Sequence, residues 1–358
     1  MANSDTTPSR AGLIEGGSDN SALFLKKFSG EILTTFEEKN IMKPLHTIRT
    51  IQNGKSAQFP VTGVATAAYH TPGQNIADSG NSYLADIKKT EKVINIDSVL
   101  LASTFLANID DVMNHYDIRS VYANELGNAL ANRFDSAVLK TFIAAARASA
   151  NLSQTAKTGG QLDVSASGGT ADSTETVTGA QLIATLFTAA QKLDENDISE
   201  DGRFCVLSPE NYYKLITGGA TNHQITVANS AVNRDIGGEG SIASGTIPQI
   251  AGISILKSNH IPTLNLSTGN YIDSAHADYD SDAGSNNDVF GASGVGYNGD
   301  FTDTVGIVAH SSAVGTVKLL DLATESEYQI ERQGTLFVAK YAMGHGVLRP
   351  ESCIELIK

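Results

Sequence analysis

Gly54-Lys55-Ser56, in the stretch NGKSAQFPVTG (53–63), are the residue types that end a phosphate-binding loop. Such a loop needs a glycine five residues ahead of the Gly-Lys pair and a helix after it, so that backbone N–H groups curl round phosphate oxygens. Arg49 stands at the glycine position, and Pro60 falls where the helix would have to propagate. The lysine therefore calls for another explanation than nucleotide binding.

The other chemical candidates fail in the same way. Gly294-Val295-Gly296-Tyr297-Asn298-Gly299 fits a dinucleotide fingerprint by letter, but DFTDTVGIVAH follows as a strand where the fingerprint needs a helix. Asp278-Tyr279-Asp280-Ser281-Asp282 opens like a calcium loop, yet Ala283 and Val289 occupy the positions that require glycine and glutamate. Cys205 and Cys353 have no partner at metal-ligand spacing, and no serine sits in a GxSxG elbow. The histidines are scattered, and His115, His310 and His345 beside structural elements suit hydrogen-bonded structural roles. No catalytic, cofactor-binding or metal site is expected, and the chain is not read as an enzyme.

The elements have to position charge instead. In 358 residues the formal net charge is −14, which argues against a general nucleic-acid binder. No basic residue falls between Lys257 and Lys318, where Asp273, Asp278, Asp280, Asp282, Asp288, Asp300 and Asp303 collect. The span 26–92 is instead rich in lysine. One region acidic and another basic suits a protein that packs against neighbouring copies of itself. Apolar runs fall well short of a bilayer span, and the N-terminus lacks a signal-peptide core.

Residues 22–39 place Phe24, Leu25, Phe28, Ile32 and Phe36 on one helical stripe after Ser21 as cap. Residues 47–61 and 86–100 read as extended, with a Gly/Ala/Ser/Asn-rich stretch between them. This is a long two-stranded excursion with a loose tip, too thinly apolar to stand alone. It carries Lys55, Lys88, Lys89 and Lys92.

The strongest periodicity lies over 117–150, where Ile118, Tyr122, Leu126, Leu130, Phe134, Val138 and Phe142 recur at four-residue steps. The spacing predicts a helix on the order of 50 Å long, one stripe buried and the other face free. Residues 151–178 read as a polar connector. A helix over 179–194, a strand at 204–207, and a short helix opened by Ser208-Pro209 and closed by Gly218-Gly219 predict an α/β unit. Further strands are expected at 250–258, 305–309, 314–319, 335–341 and 353–357.

NGKSAQFPVTG, AAYHTPGQNI, IKKTEKVINID, DVMNHYDIRSVY, HSSAVGTVKLLDLA and AKYAMGHGVLRPE, in this order, closely resemble segments of the major capsid proteins of T-7-like short-tailed phages. The resemblance spans about residues 20 to 350 and is weakest over 151–303. It implies the α+β HK-97 capsid fold: an N-terminal arm (1–46), an extended loop and its base (47–100), and a peripheral domain (101–178) with its spine helix (117–150) and connector. An axial domain (179–309) and C-terminal strands (310–358) that complete the peripheral domain follow.

The function so implied is a major capsid protein that assembles as hexamers and pentamers into an icosahedral head around double-stranded DNA. An encapsulin-type compartment of the same fold is the alternative. The implied partners are other copies of the chain, a scaffolding protein, a portal at one vertex and packaged DNA held by weak non-specific contact. A decoration protein, where one exists, would sit on the acidic loops. No membrane partner is implied, and assembly would take place in the cytoplasm of the bacterial host. Lys55, Lys88, Lys89 and Lys92 on the extended loop, with Phe28 and Phe36 on the arm, are the expected inter-subunit contacts.

Overall fold

A computed structural model describes residues 40–65, 67–77, 83–84, 87–97, 99–109, 118–152, 157–164, 177–217, 247, 249–264 and 299–358. Phe28, Phe36, His115, the helix expected over 22–39, and the stretches 278–282 and 294–298 lie outside them.

The described residues mix helices and strands. In chain order they are β1 (Thr47–Thr50), β2 (Ser56–Thr62), β3 (Lys89–Asn95), β4 (Leu100–Ala107), α1 (Ile118–Arg147), β5 (Gly160–Asp163), α2 (Gly179–Glu195), β6 (Arg203–Leu207) and α3 (Pro209–Thr217). They continue with β7 (Gln249–Ile250), β8 (Ile253–Lys257), β9 (Thr304–His310), β10 (Val314–Gln329), β11 (Gly334–Val347) and β12 (Cys353–Ile357). The sheets run β1-β10-β11-β4, β5-β12-β9-β6-β8-β7 and β2-β3.

Two compact units divide the chain: Met1–Ile41, Ser98–Asp135 and Leu320–Met343 form one, and Met42–Asp97, Ser136–Leu319 and Gly344–Lys358 the other. In the first, β4 and β11 pair antiparallel from Leu100↔Tyr341 to Ala107↔Gly334. The alternating residues Phe337, Ala339 and Tyr341 are buried. Two of them meet the first part of α1: Phe134 stands edge-on to Tyr341 at 6.4 Å, and Arg119 covers the Phe337 ring at 5.4 Å. The buried carboxylate of Asp135 accepts the Ile41 N–H at 2.9 Å, satisfying a backbone donor that has no strand partner.

In the second unit, α2 and α3 pack on the six-stranded sheet. Leu182, Leu186 and Leu193 of α2 share one core with Cys205, Leu207, Val308, Ile354 and Leu356. A capping box starts α2: Thr178 Oγ1 accepts from the Gln181 N–H, and Gln181 Oε1 accepts from the Thr178 N–H at 2.9 Å. Phe142, in the last part of α1, packs edge-on to Phe204 of β6 at 5.4 Å.

Several elements differ from the sequence expectation. The buried stripe of α1 holds from Leu126 onward, but Val121 and Tyr122 are exposed, and residues 138–143 are buried all round. The extended segment expected over 47–61 breaks at a turn in which Gly54 adopts a φ of +113°, so β1 pairs with β10 and β2 with β3. The strand expected over 250–258 is a tight hairpin, β7 to β8, turning at Ala251 and Gly252, both at positive φ. β5 arises inside the expected connector; it carries one large apolar residue, Leu162, and gains its place by parallel pairing with β12. β12 in turn lies beside β9 in the α/β sheet, while β10 and β11 lie in the sheet with β1 and β4.

Candidate assembly surface on the charged hairpin

β2 and β3 pair antiparallel from Ser56↔Asn95 to Thr62↔Lys89, a run of about 20 Å at the usual strand rise. Backbone bonds extend the ladder at both ends: Ile96 N–H to the Lys55 carbonyl and Gly63 N–H to the Lys88 carbonyl, each 2.8 Å. Side chains alternate between two faces. One carries Ala57, Phe59 and Val61 opposite Ile94, Lys92 and Thr90; the other carries Gln58, Pro60 and Thr62 opposite Val93, Glu91 and Lys89.

The first face is anchored. Ala57 and Ile94 are buried with Val317 of β10, and Ile51, Phe59, Ile96 and Leu348 pack around them. Arg49 reinforces the base by donating to the Gln58 carbonyl at 3.1 Å while its guanidinium lies 5.5 Å from the Phe59 ring centre. Close approach depends on glycine: a Cβ on Gly344 would lie 1.9 Å from the Asn95 carbonyl oxygen, and one on Gly346 2.7 Å from Ile94.

The second face is open. Val93 is 49% exposed, and Gln58, Pro60, Thr62, Lys89 and Glu91 are exposed with it. An apolar side chain held out beside Glu91 and opposite Gln58, on a strand pair supported from behind, makes this a surface able to meet another protein. Toward the tip, Thr71 N–H donates to Tyr83 Oη at 3.0 Å and Tyr83 Oη to Gln74 Oε1 at 2.5 Å, while the His70 and Tyr83 rings lie 5.2 Å apart. The hydrogen bonds from Thr71 to its hydroxyl oxygen lower the Tyr83 pKa from its ordinary value.

The four lysines singled out from the sequence do not form one cluster. Lys55 precedes β2 at the base, whereas Lys88 and Lys89 lie at the distal end; all three are exposed. Lys92 is half-buried on the anchored face, directly opposite Phe59. Being three residues apart in a strand is what sends Lys89 and Lys92 to opposite faces, a signal already present in the spacing.

Elsewhere the structure brings together a polar cluster around a residue that the sequence did not single out. Glu355, wholly buried in β12, accepts from Arg147, Gln161 and Thr304. A glutamate within the apolar strand CIELI was the visible sign of it. His310 sits between the Ser312 hydroxyl and the Asp201 carbonyl, each at 2.8 Å. Cys205 and Cys353 are buried, and burial raises the pKa of both thiols. Among the described residues no group of His, Cys, Asp and Glu side chains is arranged to hold a metal ion.

Comparison with known proteins gives a consistent picture. A family model described as Gp10A-like, major capsid protein, matches residues 58–357. The major capsid protein of Enterobacteria phage T3 is 34% identical over 351 residues, covering 96% of this chain and 93% of the relative. That of Escherichia phage T7 is 34% identical over 344 residues, covering 95% and 93%. The capsid structure of Cyanophage P-SCSP1u superposes with a TM-score of 0.70 at 39% identity, covering 99% of this chain and 98% of the other.

Proposed function

The chain belongs to the Gp10A-like major capsid protein family, and from that premise we propose that its copies close into an icosahedral head of hexamers and pentamers around double-stranded DNA. Its fold is the α+β HK-97-like capsid fold, and capsid assembly from copies of itself is the role it shares with its relatives. That role is structural, not enzymatic. The alternative of an encapsulin-type compartment is not favoured, because relatives matching nearly the whole chain are phage capsid proteins.

The finer assignments are ours. Residues 1–46 serve as the arm, 47–100 as the extended loop and its base, 101–178 as peripheral domain with spine helix and connector, 179–309 as axial domain, and 310–358 as the returning strands. The observation that carries the reading is the hairpin, with its Ala57/Ile94 face anchored and its Lys89/Glu91/Val93 face exposed. In a shell the open face, with Lys55, Lys88 and Lys89, meets acidic groups of a neighbouring copy. Single exposed pairs contribute only ~0–1 kcal/mol, so the effect comes from repetition round a closed shell. Lys92 serves the hairpin's attachment, and Phe28 and Phe36 are proposed contacts of the arm.

A scaffolding protein directs assembly in the host cytoplasm, a portal occupies one vertex, and a decoration protein, where present, binds the acidic loops. The net charge of −14 keeps contact with packaged DNA weak and non-specific. The test is co-expression with the scaffold from the same genome, followed by sedimentation and negative-stain microscopy. Closed shells tens of nanometres across are expected; monomers and small oligomers in the presence of soluble scaffold would overturn the reading.

A further inference from the structure

Three side chains from distant stretches of the chain meet inside the second unit. His46, the residue before β1, is buried, as are Thr316 on β10 and His345 on β11. Thr316 Oγ1 lies 2.7 Å from His46 Nε2 and 2.7 Å from His345 Nδ1, and His46 Nδ1 lies 2.7 Å from the Met42 carbonyl oxygen.

These partners fix where the protons are. A carbonyl can only accept, so His46 carries its proton on Nδ1 and offers a bare lone pair at Nε2. The Thr316 hydroxyl must therefore donate to His46, which leaves its oxygen to accept from the Nδ1–H of His345. Every bond runs one way, from His345 through Thr316 and His46 to Met42. A proton added at His46 Nε2 turns that atom from acceptor to donor, so the Thr316 hydroxyl hydrogen loses its acceptor unless His345 gives up its own Nδ1 proton. A second proton on His345 puts a charge in the desolvated interior.

We propose that this hydrogen-bond chain is an acid-releasable latch that pins residues 42–46, and with them the entry into β1, to β10 and β11. The inference stands on the geometry of these three side chains and does not depend on what the assembled shell contains.

The electrostatic surroundings agree. Burial lowers the His46 pKa to about 4, against the raising effect of the Met42 bond. Burial, and then the charge of His46, lowers that of His345 to about 3. The elements packed here carry Lys43 on the turn before β1, Arg49 on β1, Lys318 on β10, Lys89, Glu91 and Lys92 on β3, and Arg349 after β11. Arg349 donates to Glu351 at 2.9 Å. Both histidines titrate below the ordinary 6.5, so the closed form is fully favoured above about pH 6.5 and loses stability as pH falls from there toward about 4. That window opens before ordinary carboxylates take up protons.

Hydrogen exchange of the full chain, read by mass spectrometry between pH 7 and pH 4.5 and corrected for the intrinsic rate, tests this. The protection factor of amides 45–50 is expected to fall about tenfold per pH unit for each histidine released, while β12 keeps its protection. In His345→Asn the side-chain amide still donates to Thr316 but cannot be charged, so the slope should drop to that of His46 alone. A pH-independent protection factor over 45–50, a parallel loss in β12, or the same slope in the variant overturns the latch. If the variant does not fold, the wild-type contrast between 45–50 and 353–357 decides alone.

Discussion

Arg147 and Glu355, 208 residues apart in sequence, are joined by two hydrogen bonds, Nε to Oε2 at 2.7 Å and Nη2 to Oε1 at 2.6 Å. The pair fastens the last turn of α1 to β12. Glu355 is wholly buried, and Gln161 at 2.9 Å and Thr304 at 2.7 Å complete its set of donors. Arg147 also reaches the Asp300 carbonyl at 2.7 Å and covers the Phe301 ring at 5.5 Å. A fully desolvated carboxylate at the end of a long helix turns local charge into a constraint on how the chain closes.

Arg147→Met should therefore destabilise the protein by about 3 kcal/mol, the lower end of what breaking a buried pair costs, because the arginine is itself partly exposed. Urea denaturation measures it. Pairing Arg147→Met with Glu355→Leu removes the stranded charge and should recover part of the loss; a double variant no better than the single would contradict this account.

At the hairpin, Lys88→Glu with Lys89→Glu should weaken shell assembly at low salt, with the difference from wild type narrowing as salt is raised. Lys92→Glu should act differently. Its side chain faces Phe59 on the anchored side, so it should loosen the hairpin itself, raising hydrogen exchange in β3 in the unassembled subunit. Normal assembly of the double reversal at every salt concentration would sink the proposed role of these lysines.

The root of the hairpin offers a steric test. Gly344→Ala places a methyl group 1.9 Å from the Asn95 carbonyl oxygen and 2.9 Å from the Ile96 α-carbon, both backbone atoms. Relief requires β3 to move off β11, at a cost of about 1–3 kcal/mol by analogy with overpacked cores. Gly73→Ala is the control, since open space surrounds it and only its φ of +94° opposes a side chain. A thermal midpoint lowered equally by both would mean the close approach is not what matters.

Local patterns made much of this legible beforehand. The four-residue recurrence from Leu126 to Phe142 announced α1, and alternation in KKTEKVINID announced β3, because each pattern is set by the element's own period. What escaped was non-local. GQLD has one large apolar residue and becomes β5 only because β12 offers it an edge. The neighbours of β12 cannot be read from CIELI, and all-round burial of residues 138–143 reflects packing that no single helical stripe encodes. The hairpin's charge was visible, and the spacing of Lys89 and Lys92 already put them on opposite faces; which face is anchored needed the packing of Ala57 and Ile94 on Val317.

The two cysteines give a last, inexpensive test of the core. Cys205 lies at the centre of β6 with β8 and β9 on either side, and the Cys353 thiol donates to the Phe142 carbonyl at 3.1 Å. Burial disfavours both thiolates, the nucleophilic form, so neither thiol meets a reagent in a reactive state. An aromatic disulfide reagent at neutral pH should leave both unmodified in the native protein and titrate both in denaturant. Rapid modification of either in native protein would mean that the α/β sheet opens at β6 or β12, and the account of α1 fastened through Arg147 and Glu355 would fail with it.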